Sequence, residues 1–265
     1  MGMGEPARTD PRAARDVAAL RARLTEVARR LGLIIEALGV VGDEPIWLIR
    51  AGSSHARRRL LIAAGFHGEE PAGCWGLVGY LESIREWGEV GVDLSLLPLV
   101  NPTGIRAGRR ENDWGENPNR GFCHTPSGEP APSREGRILL DASPRLLPLA
   151  RDGFLTLHED VDLASFYIYT FETGTTPGPF TQALVAVESR FFAPVPDGPL
   201  EGAVVNGGVI LNHCDGSFED FVFHTGVPRT ACTETPGALD FSTRVEANAA
   251  ITDAFVRFHA ELPTD

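Results

Sequence analysis

Five consecutive apolar residues, Leu60-Leu61-Ile62-Ala63-Ala64, run directly into Gly65-Phe66-His67-Gly68-Glu69-Glu70 and then Pro71. A strand without polar alternation offers no face to water, so it must lie inside a sheet covered on both sides, as in α/β proteins. Pro71–Ile84 is predicted to be a helix with its proline in the first turn, and Leu94–Val100 a second buried strand. Strand, helix, strand implies a parallel crossover. Around this unit the pattern predicts strands over Leu33–Val41, Pro45–Arg50, Leu60–Gly65, Gly153–Leu157, Ser165–Thr170, Val204–Leu211 and Thr230–Thr233. Helices are predicted over 137–150, 179–191 and 241–261, with a helical turn over 217–225. Residues 1–31 read as a tail followed by an amphipathic surface helix, with Ala14, Val17, Leu20, Leu24, Val27 and Leu31 on its apolar face. There is no internal repeat and no linker of domain-separating length. The expectation is one α/β domain over residues 1–265: a three-layer α/β/α sandwich with a mixed, largely parallel central sheet.

Composition removes several function classes. The 265 residues carry 36 acidic side chains against 24 basic ones, a net charge of −12, with no basic stripe to neutralise phosphates. A nucleic-acid partner is not expected. Every basic residue is Arg, so Schiff-base, phosphate-loop and acid–base lysines are excluded. The start, MGMGEPARTDPRAARD, lacks the apolar core of a signal peptide, and no charge-free stretch reaches the roughly 20 apolar residues that span a bilayer. Cys74, Cys123, Cys214 and Cys232 form no C-x-x-C pair, which suits reduced thiols in a cytoplasmic protein without a membrane partner.

The chemistry concentrates at strand ends. His67 and Glu70 form an H-x-x-E pair that a tight turn can bring onto one metal, and zinc accepts both nitrogen and oxygen ligands. His158 ends the run Phe154-Leu155-Thr156-Leu157, and the ends of parallel strands converge on one edge. Two His and one Glu leave a fourth position open for water, as in catalytic zinc sites. The plain alternatives are a solvated histidine beside two glutamates and a histidine hydrogen-bonded at a strand end.

Three further segments bear on that choice: Asn101-Pro102-Thr103-Gly104, the run from Arg110 to Arg120, and Thr233-Glu234-Thr235-Pro236-Gly237. With H-x-x-E and a strand-end His, the chain resembles the zinc carboxypeptidase family, the carboxypeptidase A-like metallopeptidases, in a compact bacterial branch. That family shows N-P-x-G and then R-x-N-x-x-G-x-D-x-N-R, matched here at Arg110, Asn112, Gly115, Asn119 and Arg120. The likeness runs from about Leu33 to the last helix. It implies His67, Glu70 and His158 as zinc ligands and Glu234 as the base that takes a proton from zinc-bound water. It implies Arg110 as the stabiliser of the developing oxyanion, and Asn119 and Arg120 as the holders of a substrate carboxylate. The implied activity is hydrolysis of the C-terminal amide bond of a peptide.

The chain also departs from the family pattern. Asn117 stands where the family has an Asp that orients a zinc-binding His. Asn212 stands where pancreatic members have a mobile-loop tyrosine, and the only tyrosines are Tyr80, Tyr167 and Tyr169. Glu219 falls at the specificity position, with Asp215 and Asp220 near in sequence, so a cationic group on the substrate is expected. Cys123, His124, His213 and Cys214, with Glu69, Glu159 and Asp160, are candidates for a second metal position. Two other functions fit part of the pattern. Ile105–Arg110 resembles the N-acyl amino acid deacylases of the aspartoacylase and succinylglutamate desuccinylase type, whose substrates also bear a free carboxylate. A non-catalytic metal- or peptide-binding module is the other, though it would have no need of Glu234 and Arg110. The oligomeric state stays open.

Overall fold

The computed structural model describes residues 11–52, 58–123 and 130–263. Its centre is an eight-stranded sheet in the order β1-β2-β4-β3-β5-β10-β6-β9. The strands are β1 (Leu33–Val41), β2 (Glu44–Ala51), β3 (Arg59–Ala64), β4 (Asp93–Leu97), β5 (Gly153–Asp160), β6 (Tyr167–Glu172), β9 (Val209–Leu211) and β10 (Arg229–Pro236). Two short strands, β7 (Gly198–Leu200) and β8 (Ala203–Val205), pair separately as a hairpin. Four of the seven pairings in the large sheet are parallel and three antiparallel, so the sheet is mixed and mostly parallel. The helices are α1 (Pro11–Ala14), α2 (Val17–Leu31), α3 (Ala72–Ser83), α4 (Pro102–Ala107), α5 (Arg134–Leu149), α6 (Pro179–Glu188), α7 (Phe218–His224) and α8 (Phe241–Ala260).

The all-apolar β3 explains the layering. Leu60, Leu61, Ile62, Ala63 and Ala64 are each 0% exposed. Leu60, Ile62 and Ala64 pack with Leu20 and Leu24 of α2, Leu77 of α3 and Ile251 of α8. Leu61 and Ala63 face the other way, against Leu139 and Leu146 of α5 and Phe218 and Val222 of α7. Each such Leu, Ile or Phe contributes about 1.5–3 kcal/mol by leaving water. Among the described residues no helix is long and apolar enough to cross a membrane.

Three elements differ from the sequence expectation. The N-terminal helix breaks at Arg15–Asp16, because Asp16 leaves the helical conformation and caps α2 by accepting from the Ala19 N–H at 2.9 Å. The segment after β4 is helical: Asn101 caps α4 and Pro102 occupies its first turn. The strand expected over Val204–Leu211 splits into β8 and β9, since Gly207 and Gly208 both adopt positive φ (58° and 78°) and turn the chain between them.

Candidate active site

β3 delivers His67 through a turn that is locked from below. Asn101 donates to Phe66 O (3.1 Å) and Arg110 O (3.3 Å), and its Oδ1 accepts from the Gly104 N–H at 2.8 Å. The turn passes so close to α4 that a Cβ on Gly68 would lie 1.8 Å from the carbonyl carbon of Gly104. A Cβ on Gly104 would in turn strike the Asn101 amide at 2.3 Å. The N-P-x-G motif is therefore the seat on which the His67 turn and the Arg110 backbone rest. On the other side, Glu159 reaches from β5 to accept from the Ala72 N–H at 2.9 Å and pairs with Arg244. This fixes the start of α3 just beyond Glu70.

β3 and β5 are adjacent and parallel, with Ala64 opposite Leu157, so His67 and His158 meet at their C-terminal ends. Glu70 lies between them: Oε1 is 2.7 Å from His67 Nδ1 and Oε2 is 2.7 Å from His158 Nδ1. All three residues are buried, and their donor atoms lie within 4.8 Å of one another. Asn117 Oδ1 accepts from the Asn119 N–H at 2.9 Å and faces His67 Nε2 at 3.2 Å. With the Nε2 proton donated to Asn117, the lone pair of Nδ1 turns toward a carboxylate oxygen, and in that tautomer His67, Glu70 and His158 offer the two nitrogens and one carboxylate that a zinc-type ion accepts. Burial drives His67 down to about 4, keeping it neutral. Burial opposes the ionisation of Glu70, but the two imidazoles outweigh it and hold the carboxyl well below the usual range. Burial also lowers His158, yet Glu70, Glu234 and Glu219 lift it to about 9. Behind the ring, Phe66 stacks on His158 with centroids 5.7 Å apart.

A cleft of about 370 Å³ opens over these donors. Its floor is one face of three neighbouring strands: His158 on β5 stands in register with Glu234 on β10, which stands in register with Tyr167 on β6. Cys232 and Tyr169 form the next row. Burial pushes Glu234 up to about 8, against the pull of His158 and Arg110. Arg110 lies on the rim, partly exposed, with Nη1 3.5 Å from Glu70 Oε1 and 3.7 Å from Glu69 Oε1. Arg120 also lines the cleft, donating to Asn119 O at 2.7 Å and pairing with Asp215 at 3.0 Å. Asn119 is buried and its side chain is engaged: Oδ1 accepts from the Phe218 N–H and Nδ2 donates to Glu219. Glu219 is buried beside His158 and Cys232, its carboxyl raised by that burial.

Residues 56–149 match the succinylglutamate desuccinylase/aspartoacylase catalytic domain family. A solved structure from Shewanella amazonensis SB2B, assigned as a metallopeptidase, is 41% identical; the match covers 95% of this chain and 97% of that one, with a TM-score of 0.88. The chain belongs to the zinc-carboxypeptidase-like family. A protein of the same assignment from Shewanella denitrificans OS217 is 42% identical over 94% of this chain and 92% of that one, with a TM-score of 0.87. A metallo-carboxypeptidase from Pseudomonas aeruginosa, solved with (2-guanidinoethylmercapto)succinic acid, shares the fold at 20% identity and a TM-score of 0.59, covering 90% of this chain and 68% of that one. No curated protein matches the sequence.

Within this zinc-carboxypeptidase-like fold, every site residue expected from the sequence reaches the cleft or, for Glu70, the donor cluster beneath it. The second metal position considered at Cys123, His124, His213, Cys214, Glu69, Glu159 and Asp160 does not form as one cluster. Glu159 caps α3, Asp160 accepts from the Tyr167 hydroxyl at 3.1 Å, and His213 stacks on Tyr169. His124 lies outside the described residues. Asn212 adopts φ 53° and ties itself to Glu172 and Gly174, so it is a loop fastener and cannot substitute for a mobile tyrosine. Tyr167 and Tyr169, which lie on the cleft floor, are site residues that the sequence reading does not single out. Their period-two spacing on a predicted strand was the available signal, but only the register with β10 puts them beside Glu234.

Proposed function

We propose that the protein is a zinc-dependent metallocarboxypeptidase, with His67, Glu70 and His158 as metal ligands and a peptide's C-terminal amide as its target. The observation that carries this reading is the register of Glu234 with His158, which sets a carboxylate beside the donor cluster in a water-accessible cleft. Bound there, zinc would polarise a carbonyl and acidify a water. Glu234, whose carboxylate stands beside the donor cluster, takes a proton from the attacking water and passes it to the amide nitrogen as the C–N bond breaks. Arg110 offers its permanently charged guanidinium to the oxygen on which charge develops. Arg120 binds the substrate carboxylate through its donors not engaged with Asn119 and Asp215. Asn119 holds Glu219 and the start of α7 in place beneath it. Glu219 and Asp215 favour a cationic group on the departing residue.

A second reading, an N-acyl amino acid deacylase, is favoured by the family match over residues 56–149. The two share the metal, the base and the need for a free carboxylate. Incubation of the metal-loaded protein with free-carboxylate peptides, their C-terminal amides and N-acyl amino acids, with and without a chelator, separates them by mass spectrometry. Chelator-sensitive loss of one C-terminal residue from free-carboxylate peptides alone is expected. Release of acyl groups instead would move the protein to the deacylases, and no product from any substrate would overturn both.

A further inference from the structure

The hairpin of β7 and β8 stands apart from the large sheet, yet it borders the cleft. Leu200 pairs with Ala203, so Glu201 and Gly202 form a two-residue turn. Both have positive φ, 49° and 77°, the signature of a type I′ turn. Such a turn favours glycine, asparagine and aspartate, because a longer side chain in the left-handed region meets the backbone without a local hydrogen bond to offset it. Among the described residues the other non-glycine residue with positive φ is Asn212, a type suited to it. Glutamate at the hairpin tip therefore costs stability, and strained positions of this kind cluster at functional sites.

The side chain is placed for such a role. Leu200 and Ala203, on either side of the turn, join the apolar cluster that contains Tyr167 and Tyr169, which seats the hairpin against the cleft floor. Glu201 lines the cleft together with Arg120, Asp215, Glu219 and Tyr169. The Tyr169 hydroxyl, raised first by burial and then by Glu234 and Cys232, is raised further by Asp215 and Glu201, so both carboxylates lie within electrostatic reach of one ring. They differ in what they can offer a ligand. Asp215 is paired with Arg120 and Glu219 accepts from Asn119, whereas the exposed Glu201 carboxylate has no hydrogen bond or ion pair among the described residues. We propose that Glu201 is a specificity-determining residue, which receives the ammonium or guanidinium at the end of the side chain of an amino acid whose carboxylate Arg120 holds. The inference rests on that role of Arg120 and is common to the peptidase and deacylase readings, since both release such an amino acid.

Product binding tests this without turnover. L-lysine and L-norleucine share a four-carbon stem, and only lysine ends in a charge. Calorimetric titration of the zinc-loaded protein should show lysine binding about tenfold more tightly than norleucine. Glu201→Gln, which keeps the length of the side chain but not its charge, should remove most of that preference. Glu201→Asn should remove it too, and should raise the melting temperature by about 2–4 °C as the turn relaxes. A residue that served the turn alone would not combine a gain in stability with a loss of preference. Glu26→Gln, which takes one charge from an exposed position of α2 outside the cleft, should keep the preference. Equal affinities in the unaltered protein, a preference that survives in Glu201→Gln, or one lost equally in Glu26→Gln would overturn the proposal. Binding of neither amino acid would overturn it together with the role of Arg120 on which it rests.

Discussion

The same strands end in two different ways. Where β3 and β5 begin, Asp152 accepts from the Arg59 N–H at 2.9 Å and from Arg58 and Arg151 at 3.1 Å each. Burial opposes its charge, but these donors outweigh it and hold the carboxyl below its ordinary value. Where β5 and β10 finish, Glu234 is buried, and burial outweighs the pull of His158 and Arg110, pushing it up to about 8. One carboxylate is a tie between elements and the other is a group whose proton can move. The difference lies in the partners the fold supplies, not in the residue type.

Exchanging each carboxylate for its amide is the sharpest way to break that comparison. Glu234→Gln should lower kcat by about 10²–10⁴-fold while leaving bound metal and melting temperature near those of the unaltered protein. Steady-state kinetics together with metal analysis checks this, and near-normal turnover would remove Glu234 as the base. Next in size is Asn117→Ala, which takes away the acceptor that orients His67. Competition with a chelator should show metal affinity about 10–100-fold weaker, and Asn117→Asp should restore it. Asp152→Asn at the opposite end should cost about 1–3 kcal/mol in denaturant unfolding with kcat unchanged. Because the folded carboxyl titrates below its unfolded value of about 3.9, that difference should be full above about pH 5 and vanish as the pH falls through the folded value. An effect confined to acid pH concerns His259, packed near Asp152's strand end and lowered by burial to about 4. The unfolded chain takes up this proton at about pH 6.5, so stability should decline as pH falls from there toward 4. His259→Gln should flatten that part of the stability profile.

Legibility from sequence divided along similar lines. β1 was bounded at Leu33 and Val41 by its apolar run and the following Gly-Asp, and the structure has the same limits. The convergence of His67 with His158 followed from parallel strand ends, because the apolar β3 could only be interior. α4 was not anticipated, since six residues are too few for a helical period to register, although Asn101-Pro102 is a capping signal. The tyrosine pair on the cleft floor is hidden for another reason. It depends on which strand lies beside which, and spacing along the chain carries no such information.

The contact between Gly68 and Gly104 bears on how this chain can be altered. Two peptide segments 36 positions apart share a space that admits no side chain on either. A graft of the His67 loop from a relative therefore imports a mould without its casting unless the Asn101–Gly104 segment travels with it. The two form one interchangeable part, and libraries that vary them separately will recover mostly chains with a misplaced imidazole.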